Sequence, residues 1–307
     1  MNSPDPDLLN QKYSINTKNS LLQFKTGKGD LTVVEIKNNQ ASAVISMQGA
    51  HILSWVPEGE EDVIWVSDDA KFEAGKSVRG GVPICWPWFG AHESEASYPA
   101  HGFARTVNWQ VSNTQELATG ETQITFMFDT DKLAEPMQKM WPAATTAEYI
   151  ITIGKNLSLE LITHNRSHQA ITIGQALHTY FSVHDVSHVS VTGLENKTYL
   201  DKTDSFKQKQ QTDPVTIKEE VDRVYLQTAE EVIIDDQQRA ISIGKQGSES
   251  TVVWNPWEEV ANKMGDLGKE GYLKMLCVES ANAAEDVRTI EANESHRLVV
   301  CYSIQKK

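Results

Sequence analysis

Cysteine is scarce in this chain. Cys85, Cys277 and Cys301 are the only three in 307 residues, and no C-x-x-C pair occurs. An odd, widely spaced set argues against a disulfide framework and points to a reduced, cytoplasmic setting. Long apolar runs are lacking too. No stretch approaches the ~18 consecutive apolar residues of a membrane span, so no membrane partner is expected. Residues 1–20 show no apolar run behind a basic start, so no secretion leader is expected. The N-x-[ST] patterns at Asn156, Asn165, Asn196 and Asn293 then read as chance. Basic residues are outnumbered, 28 Lys+Arg against 42 Asp+Glu, for a net charge of −14. That balance excludes nucleic acid and anionic membrane surfaces as partners. G-x-G-x-x-G, P-loop, G-x-S-x-G and H-E-x-x-H motifs are all missing, as are internal repeats and linker runs.

What is there is alternation. Ala41, Ala43, Ile45 and Met47 interleave with Ser42, Val44 and Ser46, a period of two. Similar stretches cover residues 31–37, 51–56, 63–67, 123–129, 148–153, 157–165 and 170–183. More follow at 188–194, 223–226, 231–234, 240–243, 250–254, 272–280 and 297–304. Asn38-Asn39, Glu58-Gly59 and Gly154-Lys155-Asn156 punctuate them as turns. Helical candidates are short, at residues 131–140 and 257–267. Strands do not alternate with helices, which excludes a parallel βαβ sheet. The expected fold is all-β, a large antiparallel sandwich with a few short helices. Residues 1–20 read as a mobile polar lead-in and residues 21–307 as a single domain.

Residues 78–89, V-R-G-G-V-P-I-C-W-P-W-F, concentrate a fixed cation, two glycines, two prolines and large aromatic faces. His101-Gly102-Phe103-Ala104-Arg105 follows closely. Arginines and aromatics in loop-like sequence suit a pocket for a small, oxygen-rich anion. The same composition suits a stiff loop plugging a sheet end, with its tryptophans in the core.

On residues 170–183, Ile171, Ile173, Gln175, Leu177, Thr179 and Phe181 share one face. Thr172, Gly174, Ala176, His178 and Tyr180 share the other, a small-residue floor leading to a titratable ring. The alternative is a satisfied structural histidine. On residues 272–280, Glu279 shares a face with Leu273, Met275 and Cys277. A carboxylate there must be paired, protonated or working as a base. The spacing of His178, His184 and His188 matches no compact zinc pattern, and no metal is expected. Asp222 reads first as an ordinary turn carboxylate, with a ligand for a hydroxyl pair as the alternative. Trp254-Asn255-Pro256-Trp257 reads as a stacking surface or a core anchor.

Taken in order, V-R-G-G-V-P-I-C-W-P-W-F, A-H-G-F-A-R, A-L-H-T-Y-F, D-R-V-Y, V-V-W-N-P-W and C-V-E-S run from residue 78 to 280. Together they resemble the hexose-6-phosphate mutarotases of the aldose 1-epimerase superfamily. With the strand pattern, the likeness covers about residues 25–304. It departs at Ala100, where some members carry Gln, and at Ser280, where Thr or Pro is common. The resemblance implies a galactose mutarotase-like supersandwich that interconverts hexose 6-phosphate anomers, glucose 6-phosphate first. It implies His178 as general acid, Glu279 as general base, and Arg79 and Arg105 as phosphate ligands. Asp222 would bind a sugar hydroxyl, and His101 would lie in the pocket. Acid/base ring opening needs no cofactor. A monomer acting on a sugar phosphate is expected. The competing readings are a free-aldose 1-epimerase and a non-catalytic carbohydrate-binding sandwich.

Overall fold

The computed structural model describes residues 3–307, and its sheets are antiparallel throughout. Ile15–Asn16, Ser20–Thr26, Thr32–Asn38, Ala41–Ser46 and His51–Pro57 form a five-stranded sheet in chain order. A nine-stranded sheet is centred on Leu157–Asn165, Ser295–Lys306 and Arg239–Gln246. An eight-stranded sheet runs Lys207–Gln210, Thr198–Asp201, Val221–Leu226, Ser250–Asn255, Met275–Asn282, Gln175–Leu177 and Ile84–Cys85, with Tyr180–Ser182 also paired to Met275–Asn282.

Strict alternation explains the packing. On Thr145–Ile153 every second residue is buried, from Thr145 through Ala147, Tyr149 and Ile151 to Ile153. One continuous apolar cluster takes Leu22 and Trp55 from the first sheet, Tyr149, Leu159 and Val300 from the second, and Leu177, Phe181 and Val278 from the third. The large antiparallel sandwich expected from the alternation is the architecture found.

Several elements differ from the sequence reading. Within the segment read as a mobile lead-in, whose first two residues lie outside the described ones, a helix spans Pro6–Tyr13. Asp5 caps it by accepting from the Asp7 amide, and Pro6 takes the first position, where its missing N–H costs nothing. The Asn10 side chain binds both backbone groups of Phe24, with each bond 2.7 Å long, and so ties the helix to the sheet. Leu9 and Tyr13, one turn apart on the helix, also pack against the core, an apolar pair too short to stand out in a polar stretch.

Strands Ser20–Thr26 and Gln110–Glu116 had also gone unread, whereas residues 63–67 contribute only isolated bridges at Ile64 and Val66. Residues 170–183 make three short strands rather than one. The segment around Pro83 and Pro87 competes for their amides: Gly174 donates to Pro87 O and His178 to Pro83 O.

Candidate active site

The break at residue 178 sets the site. Leu177 pairs with Ser280 and Tyr180 with Cys277 in one unshifted register, so His178 falls opposite Glu279. Residues directly opposite on antiparallel strands project to the same face. His178 Nε2 stands 3.3 Å from Glu279 Oε1, with side chains 12% and 1% exposed. The His178 ring stacks on Tyr180 at 5.0 Å and 14°, and Tyr180 stacks in turn on Trp65. Trp254 meets His178 edge-on.

A cleft of about 280 Å³ opens above this pair. Arg79, His101, Arg105, His178, Asp222 and Glu279 all line it, so the six site residues expected from the sequence converge. Phe89, Tyr180, Lys202 and Trp254 join them. His178 Nδ1, Glu279 Oε2 and Asp222 Oδ1 are buried without a hydrogen-bond partner, three of nine such side-chain atoms among the described residues. Leaving buried polar atoms unpaired costs stability, and their concentration in one cleft marks a site shaped for a polar ligand.

The backbone around His101 is tightly tied. His101 adopts φ 67°, its amide donates to Gly90 O, and its Nδ1 accepts from the Gly90 amide. Phe103 and Ala104 both donate to Trp86 O. A Cβ on Gly102, at φ 69°, would stand 1.9 Å from Trp86 O. Arg105 Nη2 donates to Ala100 O, so residue 100 holds the arginine through its carbonyl whatever its side chain.

Residues 78–89 divide between the core and the cleft. Cβ atoms added at Gly80 and Gly81 would meet Trp65 O at 2.5 Å and His51 Nε2 at 2.2 Å. These glycines serve chain packing. Trp86 is fully buried and donates to Thr163 Oγ1, and Trp88 is 9% exposed, so both tryptophans belong to the core and only Phe89 reaches the cleft. Arg79 is already engaged, through Nε with Asp266 Oδ1 at 3.0 Å and through Nη1 with the Tyr180 hydroxyl at 3.1 Å. Trp257 packs on Tyr272 instead of lining the cleft.

Burial dominates the electrostatics. It pushes the Glu279 carboxyl well above its ordinary range, helped by the Asp222 charge and opposed by Lys202 and Arg105. It pushes His178 well below the usual imidazole value, with His101 and Arg105 acting in the same sense. His101 falls to about 3 through burial, Arg105 and Lys202. Burial also raises Asp222, against the neighbouring Lys202 ammonium at 2.7 Å. Both members of the central pair are therefore driven toward their neutral forms.

Tyr180 stood in the sequence reading only as a face-sharing residue, and Lys202 and Asp266 had no signal there at all. Lys202 reaches the cleft from a one-turn helix, Lys202–Asp204, between two strands. His184 and His188 point elsewhere: His184 bonds Asp236 at 2.8 Å, and His188 is exposed beside Asp185. Among the described residues no group of three or more His, Cys, Asp or Glu is placed to hold a metal.

Comparison with known proteins bears on the family and the fold. The aldose 1-epimerase family model matches residues 32–303. A protein of Escherichia coli K12 that carries the provisional name glucose-6-phosphate 1-epimerase is 36% identical over 270 residues, 87% of this chain and 88% of the relative. A Salmonella typhimurium relative with the same provisional name is 34% identical, covering 91% of this chain and 92% of its own. The crystal structure of a provisionally named mutarotase from Salmonella typhimurium superposes with a TM-score of 0.85 at 31% identity, covering 98% of this chain and 99% of that one. A galactose mutarotase-like protein from Lactobacillus casei, at 14% identity and a TM-score of 0.70, shares the fold. With the family model spanning most of its length and close relatives along nearly all of it, the chain belongs to the aldose 1-epimerase family.

Proposed function

We propose that the protein interconverts the α and β anomers of a hexose 6-phosphate, with glucose 6-phosphate the preferred substrate. The observation that carries the reaction type is the pairing of His178 with Glu279 across the strands, at 3.3 Å, at the floor of a cationic cleft. Ring opening needs one base and one acid on opposite sides of a single C–O bond. Glu279 takes the proton of the anomeric hydroxyl, and His178, as imidazolium, delivers one to the ring oxygen. The C1–O5 electron pair leaves with O5, and the O1 electrons close a carbonyl. The open chain turns about C1–C2. O5 then attacks the other face, His178 recovers its proton, and Glu279 returns the other to O1. The pair ends as it began.

Burial helps this cycle. It disfavours isolated charge on either group, so the carboxylate–imidazolium form and the carboxyl–imidazole form lie closer in energy than they would in water. Asp222, with one oxygen on Lys202 and the other unpaired, is suited to accept a sugar hydroxyl. Phe89 and Trp254 offer apolar surface to the sugar's C–H faces. The choice of a phosphorylated sugar rests on cleft cations in a protein of net charge −14, and on the names carried by the relatives.

The test is NMR exchange between anomers, comparing glucose 6-phosphate with glucose and galactose. Faster exchange of the phosphorylated sugar supports the reading. Equal or faster exchange of free galactose replaces it with a free-aldose epimerase, and the absence of any acceleration leaves a binding sandwich.

A further inference from the structure

The cations of the cleft differ in what already occupies them. Arg79 is bound to a carboxylate, Asp266, and to the Tyr180 hydroxyl, so its charge is largely answered within the protein. Arg105 makes no ion pair with a carboxylate among the described residues, and its one hydrogen bond goes to Ala100 O. Lys202 spends one of its three N–H donors on Asp222 Oδ2 at 2.7 Å and remains 28% exposed on the cleft wall.

The charges of Arg105 and Lys202 both act on His101, Glu279 and Cys85. Arg79 acts on Tyr180 and Cys277, and with Arg105 on His178. In the cleft wall Lys202 stands at Asp222, Arg105 follows His101, whose ring meets His178 edge-on, and Arg79 stands at Tyr180 and Asp266. A phosphate monoester carries about −1.5 to −2 charge near neutral pH, more than the single unanswered cation Arg105 matches.

We propose that Lys202 is a specificity-determining residue, forming with Arg105 the corner that grips the substrate's phosphate while it continues to hold Asp222. The proposal rests on the phosphorylated-sugar reading above. It shifts the phosphate contact expected of Arg79 onto Lys202, and leaves Arg79 as a structural tie between Asp266 and Tyr180. The ammonium bridges Asp222 and phosphate, so Asp222 Oδ1 stays free for a hydroxyl.

Wild-type protein is first compared on glucose 6-phosphate and glucose. If it shows no preference for the phosphorylated sugar, the underlying reading fails and the proposal with it. Given that preference, Lys202→Met is expected to lower kcat/KM for glucose 6-phosphate by roughly 10- to 100-fold, mainly through KM, and that for glucose by a clearly smaller factor, the part Lys202 contributes through Asp222. Lys202→Arg, which keeps the charge and guards against a folding defect, should restore part of the loss. Inhibition by inorganic phosphate supplies the second readout. Lys202→Met should weaken it, whereas Asp222→Asn, which releases the ammonium, should leave it equal or tighter. Equal losses on both sugars in Lys202→Met, or phosphate inhibition weakened alike by Lys202→Met and Asp222→Asn, would show that Lys202 acts only by holding Asp222. An Arg105→Ala variant that abolishes the preference while Lys202→Met keeps it would overturn the proposal and leave the phosphorylated-sugar reading standing.

Discussion

His178 lies directly opposite Glu279 across two antiparallel strands, with Nε2 of one 3.3 Å from Oε1 of the other. Neither side chain has another partner among the described residues for its remaining polar atom. The pair is therefore aimed at whatever enters the cleft. Removing either group should act on turnover more than on affinity. Glu279→Gln and His178→Asn should each lower kcat by about 10²- to 10⁴-fold with little change in KM, measured by anomer exchange. The double variant should be little worse than the poorer single one, since the two work as a unit. Near-wild-type exchange in both single variants would remove the assignment.

The same pair writes a signature into stability. The Glu279 carboxyl is raised above its ordinary 4.5, so over that window the folded protein keeps a proton that the unfolded chain has lost. This contribution is complete below about pH 4.5 and disappears as pH climbs through the raised value. Glu279→Gln has no such proton to lose. Its Tm should fall less than that of the wild type as pH rises above about 4.5. His178 is lowered below its ordinary 6.5, so its own contribution runs the other way, rising with pH up to that value. Parallel Tm profiles for wild type and Glu279→Gln would contradict the buried-carboxyl account.

The two arginines should behave differently. Arg105→Ala should cost roughly 10- to 150-fold in kcat/KM for glucose 6-phosphate and far less for glucose, because it removes a charged hydrogen bond to the phosphate. Arg79→Ala strips Asp266 and Tyr180 of their partner, and Tyr180 supports the His178 ring. It should lower Tm and slow both sugars together. A selective loss of the phosphorylated sugar in Arg79→Ala would restore Arg79 as a phosphate ligand.

Gly102 offers a test of how the loop holds the site. Alanine there needs a left-handed backbone and meets Trp86 O at 1.9 Å. Gly102→Ala should destabilise the protein by more than ~1 kcal/mol and reduce activity with both sugars, since His101 and Arg105 hang from the same segment. Unchanged Tm and activity would mean that the loop relaxes freely.

Activity should survive exhaustive chelation. The reaction written above needs no Lewis acid, and His184 is committed to Asp236. Loss of turnover on chelation, restored by one added metal, would reopen the question of a metal ligand set.

Much of this was legible in the chain itself. Side-chain alternation has a fixed period of two in a strand, so Thr145–Ile153 and Leu157–Asn165 announce their buried faces locally. The same rule put His178 with Ala176 and Tyr180, and Glu279 with Cys277. Those faces persist through the break at residues 178–179, because the register on either side is unchanged.

What alternation cannot tell is which strands become neighbours and where a long side chain ends. Lys202 sits in a polar turn with nothing local to distinguish it, yet it meets Asp222 because Thr198–Asp201 pairs with Val221–Leu226. Trp86 and Trp88, rich in sugar-stacking promise, went into the core because the surrounding aromatic cluster could bury them. Arg79 was claimed by Asp266, 187 residues away along the chain. Backbone pattern and charge balance are properties of short windows, and the sequence determined them by itself. Partner choice among charged and aromatic side chains depends on distances between remote segments, and only the folded chain decided it.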